Sequence, residues 1–301
     1  MILFLTLFVF VTIAWAQYAR TRLVLDMRNE ATLPKHFRTS NDLSMNDNVD
    51  ETGLADLHIA GSAQFSKLSL QQVLQHLKTK HVTIIDLRQE SHGFLNGNAV
   101  SWYGPHNADN TGKKALQIEK DQAQALHQLE KQQSVKVDLI LKKTANELID
   151  KTKTMEFNVH SVSTEADLAG SLHLNYRRLY IQDFHPPTAQ QVDQFIKMVQ
   201  TIPKNQWIYF HCRGGVGRST TFMVMYDMMH NAKRVSFDAI LVRQKAIGGK
   251  DLREIPSDGW KQKYAILRLN FLKDFYHYCY NNNDKFETSW TTWVKLNRKN
   301  N

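Results

Sequence analysis

Residues 211–220 read His211-Cys212-Arg213-Gly214-Gly215-Val216-Gly217-Arg218-Ser219-Thr220. A thiol and a guanidinium are separated by five residues, three of them glycine. Glycine accepts backbone angles that turn successive N–H groups toward one point. A planar guanidinium grips two oxygens of one tetrahedral oxyanion. Such a loop curls around a phosphate monoester with sulfur beneath it. The chemistry implied is phosphoryl transfer to Cys212, with Arg218 as phosphate binder and the backbone of Arg213, Gly214, Gly215, Val216 and Gly217 as the cradle. Ser219 is placed to donate to the sulfur and ease its later departure. His211 is expected to order the loop from beneath and not to act as a base. Bare Cys-x5-Arg is a weak signal. The full run, after an apolar strand and before an apolar helix, is a strong one, because that arrangement aims backbone donors at an anion.

Breaking a phosphate ester also needs a proton for the leaving oxygen. Asp183, in Gln182-Asp183-Phe184-His185-Pro186-Pro187, is the candidate acid, on a loop that the prolines stiffen. His185 is the alternative. Gln244 is a candidate to position the hydrolytic water, or else an exposed helix residue. The second cysteine, Cys279, lies in Phe275-Tyr276-His277-Tyr278-Cys279-Tyr280 and reads as a buried structural thiol. Two cysteines make no disulfide framework.

The elements that must position these groups are readable in outline. Trp207–Phe210 is a short apolar strand, and Thr220–His230 an apolar helix. Ala189–Thr201 carries Val192, Phe195, Ile196 and Val199 at helical spacing. Ser69–Leu77 begins like a capped helix, and His81–Leu87 is a β-branched run that reads as a buried strand. The glycine-punctuated stretch from Arg88 to Gly97 reads as a loop. Residues 114–132, 235–247 and 259–280 favour helix. Residues 17–60 look like loops and an extended arm, with a turn at Leu33–Arg38. Strand-like stretches at Val135–Leu141, Met155–Val162 and Leu172–Ile181 suggest a small inserted β unit at about 133–180. The tail after Asn281 is polar and expected to be loosely held.

The chain has 301 residues, 42% hydrophobic and 22% charged, enough for one large domain with a real core. Met1–Ala16 is an uncharged apolar run ending in Ala14-Trp15-Ala16. It fits a secretory signal peptide, with an uncleaved anchor as the alternative. The remaining residues, 17–301, would form the phosphatase domain, exported to the periplasm or beyond the cell, with no stable membrane span after cleavage. The net charge of +9 survives that cleavage. It suits a phosphate-rich, polyanionic small molecule. No nucleic-acid motif and no long basic run is present, so nucleic acid is not an expected partner.

Here the sequence resembles a known family, the cysteine-based phytases with a protein-tyrosine-phosphatase-like fold. The resemblance rests on His211–Thr220, on Asp86-Leu87-Arg88-Gln89-Glu90-Ser91-His92-Gly93-Phe94-Leu95-Asn96-Gly97, and on Ala99-Val100-Ser101-Trp102-Tyr103-Gly104. The Leu33–Arg38 segment, the Asp183 loop and Thr221–Met228 also carry it. It implies an α/β fold, a central sheet flanked by helices with a small inserted β unit. It implies a phosphatase acting on myo-inositol hexakisphosphate or lower inositol polyphosphates through a phosphocysteine, with no metal and no cofactor. Cys212 is carried over as nucleophile, Arg218 as phosphate binder and Asp183 as acid. The family also uses basic side chains around the pocket: Arg38 matches such a position, and Lys261, Lys263, Arg268 and Lys151 or Lys153 are unaligned candidates. Asp86 and Arg88 are carried over as supports. Relatives often read Asp-His-x-x-Pro at the acid loop, whereas this chain has Asp183-Phe184-His185, so a substrate-contacting histidine is lost or shifted to His185. The competing readings are a protein tyrosine or dual-specificity phosphatase acting as a secreted effector, and a phosphoinositide-binding module without turnover. A sulfur transferase is disfavoured by Arg218 and Asp183.

Overall fold

The computed structural model describes residues 21–43 and 49–298. The apolar run expected to be a signal peptide lies outside them. Among the described residues no helix is long and apolar enough to cross a membrane. The chain divides into two compact units.

One unit holds the phosphate-loop motif and comprises residues 30–88 and the chain from 166 onward. Its sheet has five strands, β2 (Arg38–Thr39), β3 (Ile59–Ser62), β4 (Val82–Asp86), β10 (Asn175–Arg178) and β11 (Trp207–His211). Their order is β10-β4-β11-β3-β2. All neighbours are parallel except β2, which runs antiparallel to β3. β3 and β4 are buried throughout and β11 nearly so, the pattern of strands covered on both faces. Helices of this unit are α1 (Lys67–Leu77), α3 (Glu165–Ser171, whose first residue belongs to the other unit), α4 (Ala189–Gln200), α5 (Gly217–Asn231), α6 (Phe237–Ala246), α7 (Trp260–Asn281) and α8 (Trp290–Arg298).

The helix starts follow from their caps. Ser66, not Ser69, caps α1, its hydroxyl accepting from Ser69 N at 3.2 Å. α4 begins with a reciprocal capping box between Thr188 and Gln191. α5 buries eleven of its fifteen residues, so it runs through the core. There Phe222, Met223, Met225 and Met228 meet Phe195, Phe210, Ile85 and Phe275. The tail after Asn281 is not loosely held. It carries α8, and Trp290 is buried against Phe271, Phe275 and Tyr278, with ring centres 5.5–5.7 Å apart.

The other unit is larger than the expected insertion and differently bounded. Its described residues are 21–29 and 89–165. Six strands lie in the order β8-β7-β1-β6-β5-β9. They are β1 (Arg22–Met27), β5 (His92–Leu95), β6 (Asn98–Tyr103), β7 (Ser134–Lys143), β8 (Ile149–Asn158) and β9 (Val162–Ser163). α2 (Ala115–Glu130) supplies Leu129 to a core with Leu25, Leu95, Val100, Val135 and Val137. Three expectations are corrected here. The 133–180 boundary fails at both ends, because β10 pairs with β4 in the other sheet and the six-stranded sheet begins its contiguous stretch with β5. Residues 88–97 are not all loop, because Asn96 and Gly97, both in the left-handed region, close a hairpin between β5 and β6. The polar arm holds an interior strand, β1, paired with β6 and β7.

Candidate active site

The motif sits beyond the carboxyl ends of parallel strands, where ligands of open α/β sheets bind. His211, the last residue of β11, is in register with Ser62 of β3 and Asp86 of β4. Cys212 therefore leaves the sheet with the chain after β3 on one side and the chain after β4 on the other. The loop then turns into α5 at Gly217. Gly215 is the residue that permits the turn. Its φ is +70°, and a Cβ there would lie 2.2 Å from Ala63 N. The turn brings Gly215 N to 3.2 Å from Cys212 Sγ, and Ser219 Oγ donates to the same sulfur at 3.2 Å. Two donors and the N-terminus of a fifteen-residue helix thus face the sulfur. Cys212 is 3% exposed. Arg213 and Val216 are half-buried, Gly214 is exposed, and the Arg213 carbonyl is held by Gln64 N at 3.2 Å.

Arg218 is anchored by its Nη1, which donates to Leu87 O at 3.3 Å and Ile181 O at 3.1 Å. Its Nη2 lies 3.2 Å from Asp183 Oδ1. The expected phosphate binder and the expected acid are thus brought together at the sulfur loop. The acid loop is strongly bent. Phe184 has φ +65°, a left-handed conformation that costs a bulky residue on the order of 1 kcal/mol or more. Asp183 Oδ1 accepts from Phe184 N at 3.0 Å, and His185 Nδ1 lies 2.8 Å from Asp183 O. On one side Gln191 of α4 donates to Tyr180 O at 2.8 Å. On the other stands α7. Trp260 meets Phe184 edge-on at 4.9 Å between ring centres, and Tyr264 lies 3.9 Å from the His185 ring. Arg268 Nη2 donates to Phe184 O at 3.2 Å.

Beneath the loop, Asp86 is fully buried and is the hub of a polar cluster. Its carboxylate accepts from Arg88 N at 2.8 Å, Tyr176 Oη at 2.9 Å and Arg178 Nε at 3.0 Å. The His211 ring, also fully buried, is 3.8 Å away and packs on Phe65 at 4.9 Å. Arg88 donates to Gln64 Oε1 at 2.6 Å, and its carbonyl accepts from Arg178. Asp86 and His211, at the ends of β4 and β11, are brought side by side by the sheet register, and Arg88 follows two residues beyond β4.

Three expectations do not fit the geometry. Arg38 is 1% exposed, and its guanidinium is spent on Gly215 O at 2.9 Å, Thr220 Oγ1 at 2.9 Å and His36 O at 2.8 Å. It braces the loop from behind. Burial holds its pKa down at about 10. Gln244 is 1% exposed and donates to Asp227 Oδ2 at 2.9 Å. It belongs with Arg243 and Asn231 to a buried cluster around Asp227, so it has no access to a hydrolytic water. Lys263 is exposed and lies two residues from Lys261, about 200° around the helix. Lys261 itself reaches the acid loop, its Nζ 5.0 Å above the Phe184 ring. Lys151 and Lys153 are exposed on β8 of the other unit. Arg268, only a loose expectation before, is the cation that the fold delivers. A Cβ on Gly217 would lie 3.4 Å from its Nη1. Burial lowers its pKa, against the charges of Asp183 and Cys212. Trp260 and Tyr264 were missed altogether. Their spacing with Arg268 at i, i+4 and i+8 was visible, but not the loop that this face would meet.

A family model for PTP-like phytases, described by the words inositol hexakisphosphate, matches residues 85–230. The structure of a PTP-like phytase from Bdellovibrio bacteriovorus is 30% identical with a TM-score of 0.74, the match covering 92% of this chain and 95% of that one. The chain belongs to the PTP-like phytase family. Another structure of a PTP-like phytase family protein is the PTP-like myo-inositol phosphatase from Mitsuokella multacida, in complex with myo-inositol-(1,3,4,5)-tetrakisphosphate. It is 32% identical with a TM-score of 0.86 over 93% of this chain. Effector protein hopD2 of Pseudomonas syringae pv. tomato is 29% identical over 86% of this chain. The chain spans 48% of the Mitsuokella chain and 57% of hopD2, about half of each. Membership of the PTP-like phytase family accounts for the α/β architecture of helices around a sheet that ends at Cys212.

Proposed function

We propose that the chain is a cysteine-dependent phosphatase that removes phosphate from myo-inositol hexakisphosphate or lower inositol polyphosphates. The observation that carries this reading is the convergence of Cys212 Sγ, its two donors Gly215 N and Ser219 Oγ, and the Arg218–Asp183 pair at one strand end. A phosphate entering the loop takes the Arg218 fork as its partner and releases Asp183 toward the ester oxygen. The thiolate attacks phosphorus, the phosphorus–oxygen bond breaks, and protonated Asp183 gives its proton to the departing inositol hydroxyl. Asp183, now ionised, takes a proton from water as that water attacks the phosphocysteine. Inorganic phosphate leaves and the thiolate returns, with Ser219 Oγ holding the sulfur. Export from the cytoplasm is part of the proposal and rests on the sequence of residues 1–16. Purified Cys212→Ser protein is expected to release no phosphate from inositol hexakisphosphate above background, while the parent chain does. Turnover retained by the variant sinks the mechanism.

The likeness to hopD2 favours a second reading, an exported effector acting on phosphoproteins. The two readings separate on the ratio of kcat/KM for inositol hexakisphosphate to that for a phosphotyrosine peptide. A ratio above one supports the first, and a ratio well below one the second.

A further inference from the structure

The acid loop is held in place from outside, by α7. Three side chains one turn apart on a single face of that helix each take a different part of the loop. Trp260 takes the Phe184 ring, Tyr264 takes the His185 ring, and Arg268 takes the Phe184 carbonyl. Trp260 and Tyr264 also meet each other at 6.0 Å, edge to face, so the two aromatic grips are coupled. Between the held residues lies a backbone kink, φ +65° at Phe184, that a chain left to itself relaxes. The kink turns the Asp183 carboxylate back toward Arg218. A non-glycine residue stays in that conformation only where its surroundings over-determine it, and α7 provides those surroundings.

We propose that Trp260, Tyr264 and Arg268 are positioning residues that hold Asp183 over the scissile ester, so that α7 sets the efficiency of proton donation. The inference rests on the proposed phosphatase reaction and adds to it the part of the fold that places the acid. A consequence separates this role from a general structural one. An inositol hydroxyl is a poor leaving group and needs the proton of Asp183. An aryl phosphate whose phenol is already acidic does not. Loosening the clamp therefore slows the first substrate and spares the second.

The experiment compares kcat at saturating inositol hexakisphosphate with kcat at saturating difluoromethylumbelliferyl phosphate. It uses the parent chain, Tyr264→Leu, Arg268→Gln, Tyr264→Phe, and Asp183→Asn as the reference for lost proton donation. Tyr264→Leu is expected to lower kcat on inositol hexakisphosphate by about 30-fold or more, approaching the Asp183→Asn value, and on the aryl ester by less than about threefold. Arg268→Gln, which also removes a charge beside the phosphate loop, is expected to lower both rates, the first by more. Tyr264→Phe keeps the ring and is expected to keep both rates. Melting temperatures identify any variant that has lost its fold, and Tyr264→Leu, at a half-buried site, stands in if Arg268→Gln does so. Equal losses on both substrates in folded variants, or no loss on either, overturn the clamp while leaving the reaction intact. A parent chain that releases phosphate from neither substrate overturns the reaction and the clamp together.

Discussion

Gly214 and Gly215 are neighbours, yet a methyl group has opposite consequences at the two. At Gly214 an added Cβ meets nothing within 4 Å, whereas at Gly215 it strikes the backbone of Ser62 and Ala63 in a left-handed conformation. Gly215→Ala is expected to cost about 3 kcal/mol of stability and to pull its N–H away from Cys212 Sγ. Gly214→Ala is expected to leave the urea midpoint of the parent chain unchanged. Chemical denaturation of both variants checks the pair, and a stable Gly215→Ala protein contradicts the geometry. At this scale the sequence was most legible where chemistry dictates residue type. A thiolate, a fork of donors and a carboxylic acid have few substitutes, so Cys212, Arg218 and Asp183 stood out. Arg38 and Gln244 were misjudged for a physical reason. Whether a polar side chain faces a pocket or a buried neighbour depends on burial, and burial is set by segments far away in sequence.

Among the elements, α8 shows how far tertiary packing reaches beyond local composition. The segment after Asn281 is rich in Asn, Lys and Thr, which reads as solvated tail. Two tryptophans outweigh that composition. Trp290 is 5% exposed and stacks on Trp293 at 5.3 Å, and together they cover Tyr278 of α7. Tyr278 sits among these rings with burial raising its pKa, and its hydroxyl donates to Thr288 O at 2.6 Å. Trp290→Ala is expected to lower stability by about 3–5 kcal/mol, as measured by urea unfolding. Because Tyr278 lies eighteen residues along α7 from Trp260, about 27 Å at 1.5 Å per residue, kcat of the folded variant should stay close to that of the parent. A helix with a full amphipathic period, such as α4, was legible because 3.6-residue repetition survives without knowledge of the partner. β5, β9 and β10 are four residues or fewer, too short for a period to declare itself, and their sheet membership is decided by pairing alone.

For the molecule as a whole, a net charge of +9 acts on any substrate before contact is made. Raising ionic strength from 0.05 to 0.5 M is expected to lower kcat/KM for inositol hexakisphosphate by about tenfold or more. The same change should lower kcat/KM much less for an aryl monophosphate, which carries fewer charges. Stopped-flow or initial-rate measurements across a salt series check this, and parallel slopes for the two substrates refute it. The division into two units was the least legible feature, because each of them is assembled from two separate stretches of chain. Arg22–Met27 is third of six in its sheet's order and lies at neither edge, yet both of its partners lie far downstream. During synthesis this strand is made before either partner and has nothing to pair with until Asn98–Tyr103 has been made. For that interval it is an unpaired apolar segment, open to chaperones, to proteases and to a copy of itself on a neighbouring ribosome. Trimming the chain from its front past Met27 removes a beam from the middle of a sheet, not a loose end.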